Sequence, residues 1–357
     1  MDSLTQAVLG AGIQGAMLGR YHGRKALAAG ALLATLPDLD VLIDYGDPVS
    51  GMINHRGFSH SVFILTALAL ALTALLRHWR PSPHYGAGRL FLTLWLVLIT
   101  HPLLDAFTSY GTQLWWPLRP TPTSWSSIFI IDPFFTLPLF ATVAAAFIVG
   151  LSAKARSALC WALGWCAAYL TLSLGAKSAV ETPVRQALDH QGIAVNAMFS
   201  TPEPFNILLW RVVAKVDNDS YIETVRSVFD QGPSESLRRP LNTVLADALP
   251  DSSRLAGLRW FTDNWLRYDS IDNRLVVTDL RMGLGGGFYS FRFEMARRDG
   301  PGSDWTAIDP LYWPGQRGTE YLPAVLRRAW QSTPPLPLAL WEQNMTRTPT
   351  TAPTALP

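Results

Sequence analysis

Six times along this chain, a stretch close to a membrane span in length runs with almost no charge: 3–19, 26–36, 61–76, 90–107, 129–151 and 157–175. Backbone in lipid must satisfy its own hydrogen bonds, which restricts such stretches to helices or closed barrels. Each stretch nears the roughly 20 residues that cross a bilayer core, although the first two are short enough to be re-entrant. Only 16% of residues are charged, where a soluble domain carries about 25%. The expected fold class is an α-helical polytopic membrane bundle of about 5–6 spans followed by a smaller α+β extramembrane domain. Composition changes near 177–182, so residues 1–178 read as the membrane-embedded domain and 179–335 as a soluble one. Residues 336–357 are rich in Pro and Thr and read as a disordered tail.

Charge sets an orientation. Basic residues gather in 20–25, 77–89 and 154–156, which are alternate connections, while 44–59 and 110–127 carry only Arg56 and Arg119. Lys and Arg mark the cytoplasmic side, so six spans place both termini and the soluble domain outside the cytoplasm. The net charge of +2 and the lack of a basic, aromatic-studded patch argue against nucleic acid as a partner. Cys160 and Cys166 share one apolar helical stretch, about 240° apart around the axis, and read as small apolar side chains. The N-terminus has no signal-peptide pattern, which leaves targeting to the retained helices.

Against this apolar background three motifs stand out: Leu36-Pro37-Asp38-Leu39-Asp40, His55-Arg56-Gly57-Phe58-Ser59-His60-Ser61 and His101-Pro102-Leu103-Leu104-Asp105. Ionisable groups in or beside a bilayer are costly unless they are paired or functional, and His and Asp ligate divalent metals. His101 and Asp105 share a helix face. By the topology above, Asp38, Asp40, His55, His60, His101, Asp105 and Asp132 all fall at the outer end of the bundle, as one shared site requires. Asp38, Asp40, His55, His60, His101 and Asp105 are the candidate ligands for one or two divalent ions, with Zn, Mn or Fe suited to such donors.

Plainer alternatives accompany several of these residues. Asp38 after Pro37 also suits a helix end, and Arg56 suits either an anion clamp or a contact with lipid headgroups. Asp132 reads as a support for a ligating His that also caps the helix before Pro133, with direct ligation as the alternative. Ser59 and Ser61 flank His60 without a Gly-x-Ser-x-Gly elbow to mark a nucleophile. In the soluble part, 221–229, 274–280 and 288–295 alternate as strands do, and 240–249 and 255–268 look helical. The run Gly283–Gly287 lacks the ending of a phosphate loop and reads as a strand connection.

The motifs, in this order and with Met1-Asp2-Ser3-Leu4-Thr5-Gln6, Thr108-Ser109-Tyr110-Gly111-Thr112 and Ile131-Asp132-Pro133, resemble those of the membrane-bound metal-dependent hydrolases known as YdjM-like inner-membrane proteins. The resemblance covers about the first 140 residues densely, and 206–213 looks like the start of the extra domain of the longer members. It implies a bacterial inner-membrane location and a metal site at Asp38, Asp40, His55, His60, His101 and Asp105. Two departures stand out: no glutamate lies in the stretch Gln14-Gly15-Ala16, where long members often have one, and Gln6 stands where many have His.

The reading this supports is an enzyme that hydrolyses a phosphoester or other bond of a membrane lipid or lipid-linked substrate at the outer interface. In it, a metal-activated water attacks, Asp40 or Asp105 takes the proton, and Arg56 holds the anionic group. One competing reading is a metal-stapled scaffold whose 179–335 domain meets a protein partner. The other is cation transport, which clustering of the acids at one end disfavours.

Overall fold

The computed structural model describes residues 1–284, 288–314, 321–349 and 351–354. Seven helices come first: α1 (Ser3–His22), α2 (Arg24–Ala34), α3 (Pro48–Asn54), α4 (Val62–Trp79), α5 (Ala87–Ala106), α6 (Pro133–Val149) and α7 (Ala153–His190). Two compact units divide the chain: Met1–Ile43 with His55–Ser173, and Asp44–Asn54 with Leu174–Pro357. The short connection that carries α3 thus belongs to the second unit.

In the first unit α1 and α2 form a hairpin turned at Gly23, whose φ of 56° favours glycine. Their backbones approach closely at Gly10 and Gly30: a Cβ built on Gly30 would lie 2.3 Å from the carbonyl oxygen of Gly10. Small residues allow such crossings in membranes. Capping is local and legible. Asp2 accepts from the Thr5 amide, Ser61 from the Phe63 and Ile64 amides, and Asp132 from the Phe134 and Phe135 amides.

Among the described residues three helices, α4, α5 and α7, are long and apolar enough to cross a membrane, and α6 is a shorter apolar helix of 17 residues. The expected 5–6 spans are therefore supported only as three. With 11 residues, α2 reaches about 16 Å against a core of about 30 Å. In α1, Gly, Gln and Thr dilute the hydropathy. Phe63, Ile64, Leu70 and Leu75 on α4 and Phe134, Leu137 and Phe147 on α6 are exposed, an apolar surface that suits lipid and not water.

The second unit is sheet-rich. Strands β1 (Ala197–Pro202), β2 (Leu209–Lys215), β3 (Ser220–Ser227) and β4 (Glu235–Pro240) make an antiparallel sheet in sequence order. Val180, Val184 and Leu188 of α7 pack on it against Trp210, Val212 and Ile222. After α8 (Ser253–Phe261) come β5 (Leu266–Ile271), β6 (Arg274–Asp279), the short pair β7 (Gly283–Leu284) and β8 (Phe288–Tyr289), β9 (Arg292–Arg297) and β10 (Thr306–Tyr312). The second four-stranded sheet runs β10-β9-β6-β5. Buried arginines join this core: Arg211 bonds Glu223, Tyr289 and the Leu280 carbonyl.

Several local expectations shift. The helix expected over 255–268 stops at Phe261, because Asp263 and Asn264 take left-handed backbone (φ 52° and 56°) and Leu266 begins a strand. A 3-10 helix, Thr243–Ala248, replaces the one expected over 240–249. Of the glycine run, Gly285–Gly287 lie outside the described residues. The stretch expected as a disordered tail contains α10 (Leu338–Met345), which follows α9 (Leu322–Arg328). Its Met345 is buried with Tyr221 and Trp265, and its Glu342 pairs with Arg267.

Candidate metal centre

Pro37 opens a 3-10 turn, Pro37–Leu42, directly after α2. Two steps along such a turn rotate a side chain by about 240°, so Asp38 and Asp40 point to different sides. Arg56 has left-handed backbone (φ 61°), and the turn Phe58–His60 then delivers His60 just before α4. On α5, His101 and Asp105 lie one helical turn apart.

These elements bring Asp38, His60, His101 and Asp105 together, with one ligand atom from each and all four within 4.8 Å of one another. His101 Nε2 is 3.2 Å from Asp38 Oδ1 and 3.5 Å from Asp105 Oδ2. His60 Nε2 is 3.6 Å and 3.2 Å from the same two oxygens. Four tetrahedral ligands about 2.0–2.2 Å from an ion are spaced about 3.3–3.6 Å from each other. The four histidine–aspartate separations, 3.2–3.6 Å, lie close to that spacing.

Both imidazoles are oriented from behind. His101 Nδ1 donates to the carbonyl of Ala34 at 2.6 Å; a carbonyl only accepts, so Nε2 keeps its lone pair toward the carboxylates. Ser59 Oγ donates to Asp40 Oδ2 at 2.6 Å, which leaves it to accept from His60 Nδ1 at 2.9 Å. His60 Nε2 and Asp105 Oδ2 are buried and make no hydrogen bond among the described residues. Orphaned buried polar atoms are rare. An electron pair on nitrogen facing a carboxylate oxygen is the donor set a divalent cation fits.

The other charges are arranged around this set. Burial alone would raise the pKa of Asp38, but the adjacent imidazoles of His101 and His60 hold it well below the usual carboxylate range. Burial would also lower the pKa of His60, and the facing carboxylates of Asp105 and Asp38 raise it instead. Asp105 Oδ1 accepts from Gln6 Nε2 at 3.1 Å, lies 3.3 Å from Arg56 Nη2 and pairs with the Met1 amino group.

Asp40 and His55 lie beside the four and pair with each other. Asp40 accepts from His55 Nδ1 at 2.9 Å, the Arg56 amide at 2.9 Å and Ser59. Its pKa is lowered by His55 and Ser59 against the upward pull of burial. Arg56 is buried, beside Asp105. Its guanidinium reaches Thr108 Oγ1 at 3.4 Å and stands 5.0 Å over the Tyr110 ring, with Nε unbonded among the described residues. Asp132 caps α6 and accepts from Tyr169 at 2.8 Å, which commits its oxygens locally.

Sequence reading passed over three contributors: Gln6 as a partner of Asp105, Ser59 as the link from Asp40 to His60, and the Ala34 carbonyl behind His101. Gln6 and Gln14 are the amides in an otherwise apolar, Gly-rich helix, a signal of the same kind as His101. A backbone carbonyl leaves no trace in sequence.

A model of the family described as YdjM inner membrane protein matches residues 1–180, half of the chain and all four clustered residues. Over 156 residues the chain is 31% identical to the uncharacterized protein YfhP of Bacillus subtilis (strain 168), covering 40% of this chain and 46% of that one. Over 93 residues it is 36% identical to the inner membrane protein YbcI of Escherichia coli (strain K12), covering 26% and 52%. The chain thus spans about half the length of the curated relatives it matches. No solved structure matches it.

Proposed function

The chain belongs to the YdjM inner membrane protein family, and we propose that it is a metal-dependent hydrolase acting on an anionic, phosphoester-type group of a membrane lipid or lipid-linked substrate. The observation that carries this reading is the set of Asp38, His60, His101 and Asp105 at ligand spacing with Arg56 buried against it. One divalent ion, Zn, Mn or Fe by donor type, balances Asp38 and Asp105, with Arg56 and Asp40 adding one charge of each sign beside them. Arg56 Nη2 already meets Asp105 Oδ1 at 3.3 Å, and its Nε, unbonded among the described residues, is the donor that suits an anionic group of the substrate. A second ion has less support, because Asp40 already accepts from three donors.

Bound there, the ion supplies Lewis acidity and a water of lowered pKa. The chain's own groups do the rest. Arg56 holds the anionic oxygens in its planar fork, Gln6 and Arg56 fix Asp105, and the Ser59–Asp40 pair fixes His60. Asp38, whose side chain keeps 23% exposure, is proposed ahead of Asp40 and Asp105 as the carboxylate that passes a proton to water.

Within the first unit the site lies at the start of α4 and the end of α5, opposite the basic residues 77–89. The charge rule then puts the site, and the residues after α7, outside the cytoplasm. A partner for the sheet-rich unit is part of the same proposal. The test is release of phosphate or headgroup from aryl phosphodiesters and phospholipids by the purified protein with added Zn or Mn. Activity that disappears in Arg56→Gln while bound metal stays at the wild-type level supports the reading. Metal-loaded protein that turns over none of these substrates contradicts it.

A further inference from the structure

The turn Pro37–Leu42 carries two of the candidate site's aspartates and, interleaved with them, Leu39, Val41 and Leu42. Side chains three apart eclipse in a 3-10 turn, which gives it three faces. Pro37 and Asp40 make the buried face. Leu39 and Leu42 make the second, and both are exposed, Leu42 to 79%. Asp38 and Val41 make the third, where Val41 is 71% exposed. Of the four clustered side chains only that of Asp38 is exposed; those of His60, His101 and Asp105 are fully buried. The cluster therefore reaches the surface beside Val41, on an apolar turn. Leu36 and Ile43, which flank the turn, are exposed as well, and such a patch marks an interaction surface.

Its depth follows from α4. The turn packs on Phe58–His60, which passes through Ser61 into α4. That helix is long and apolar enough to cross a membrane. Its 18 residues rise about 27 Å, close to the roughly 30 Å of a hydrocarbon core. Tryptophan settles at both membrane–water interfaces. Exposed Trp79 ends α4, and exposed Trp115 lies against Phe63 in its first turn, with ring centroids 6.3 Å apart. The exposed faces of Pro37–Leu42 are thus level with the start of α4, where hydrocarbon gives way to headgroups.

We propose that the turn Pro37–Leu42 inserts into the bilayer interface and that substrate reaches Asp38 laterally, from within the leaflet, past Val41 and Leu42. This rests on the hydrolase reading for what enters, and it specifies a lipid held in the leaflet in place of a soluble phosphoester. The leaflet is the occupant, ahead of a second copy, because the patch lies at the depth of the first turn of α4, whose exposed Phe63 and Ile64 meet lipid around a single copy.

The first arm of the test attaches a fluorophore to Leu42→Cys in full-length protein carrying Cys160→Ser and Cys166→Ser, reconstituted in phosphatidylglycerol-containing nanodiscs. Val41→Cys is the second position should the first fail to fold, and Val244→Cys, exposed in the sheet-rich unit, is the aqueous control. Doxyl-labelled lipid is expected to quench the Leu42 label several-fold more than the Val244 label, and iodide the reverse. Equal quenching by iodide at the two positions overturns the proposal. So does a Leu42 label that neither quencher reaches, since protein, such as a second copy, would then cover the turn.

The second arm compares substrates. Val41→Thr combined with Leu42→Gln is expected to lower headgroup release from phosphatidylglycerol vesicles at least about tenfold, with bound metal and turnover of a soluble aryl phosphodiester unchanged. An equal loss on both substrates, or none on the vesicles, overturns lateral entry. Wild-type protein that cleaves neither substrate while doxyl lipid still quenches the Leu42 label overturns the hydrolase reading and the substrate assignment with it, and leaves the insertion standing.

Discussion

His60 Nε2 and Asp105 Oδ2 lie 3.2 Å apart, both fully buried, without the alignment of a hydrogen bond. The pair is stable only if a proton or a cation sits between the two atoms. Asp105→Asn keeps the shape, removes one anionic ligand and turns the face toward Arg56 neutral. Metal affinity is expected to fall by at least about 100-fold, beyond the 10–100-fold of an indirect partner, measured by competition with a chromophoric chelator. Affinity within a factor of a few of wild type would remove Asp105 from the ligand set.

Ser59 is the hydroxyl that joins Asp40 to His60. Ser59→Ala leaves the His60 Nδ1 proton without its acceptor and the ring free to turn. Groups that orient a ligating histidine are worth about 10–100-fold in affinity, and a loss of that size is expected with the ion still bound at saturation. No change would mean that packing alone orients His60.

Metal binding should strengthen as pH rises. The facing carboxylates raise the His60 pKa above its ordinary 6.5, so the metal-free site keeps a proton that a free imidazole has lost. The metal-free fold gains stability from that proton below 6.5 and loses it as pH rises through the raised pKa. The ion must displace the same proton. Affinity is therefore expected to climb about tenfold per pH unit through that window, whereas a flat profile would show that His60 carries no proton there.

The α1–α2 crossing controls the centre indirectly. Gly30 meets Gly10 backbone to backbone, and four residues beyond Gly30 the Ala34 carbonyl holds His101. Gly30→Val forces the helices apart, at a cost of about 1–3 kcal/mol or more for overpacking. Both the melting temperature and metal retention are expected to fall. Wild-type values for both would mean that α2 can shift without disturbing His101.

The sequence made the candidate site legible to the level of residue type. His101 and Asp105 are tied by helical spacing, and Asp38 and His60 by motif. It did not separate Asp38 from Asp40, because that requires knowing that Pro37 starts a 3-10 turn, which sends the two side chains apart. Asp132 resolves as the cap that Pro133 already suggested. The membrane class followed from uncharged stretches, but the span count did not. Gly-rich α1 and one face of 11-residue α2 (Ala26, Leu27, Gly30 and Ala34) are buried by packing, which composition does not distinguish from burial in lipid. In the sheet-rich unit, strands with alternating patterns were legible. The break at Asp263 and Asn264 was not, since left-handed backbone at two successive residues is a tertiary choice.

Metal content of the protein purified without chelators tests the central claim most directly, with wild type measured beside His101→Ala and Asp38→Asn. The account predicts about one transition-metal ion per chain in the wild type and loss of it in both variants, with the helical and sheet content retained. Wild-type protein that carries no ion and takes up neither Zn, Mn nor Fe on addition would contradict it. His60, His101, Asp38 and Asp105 would then be a proton-bridged network joining helices.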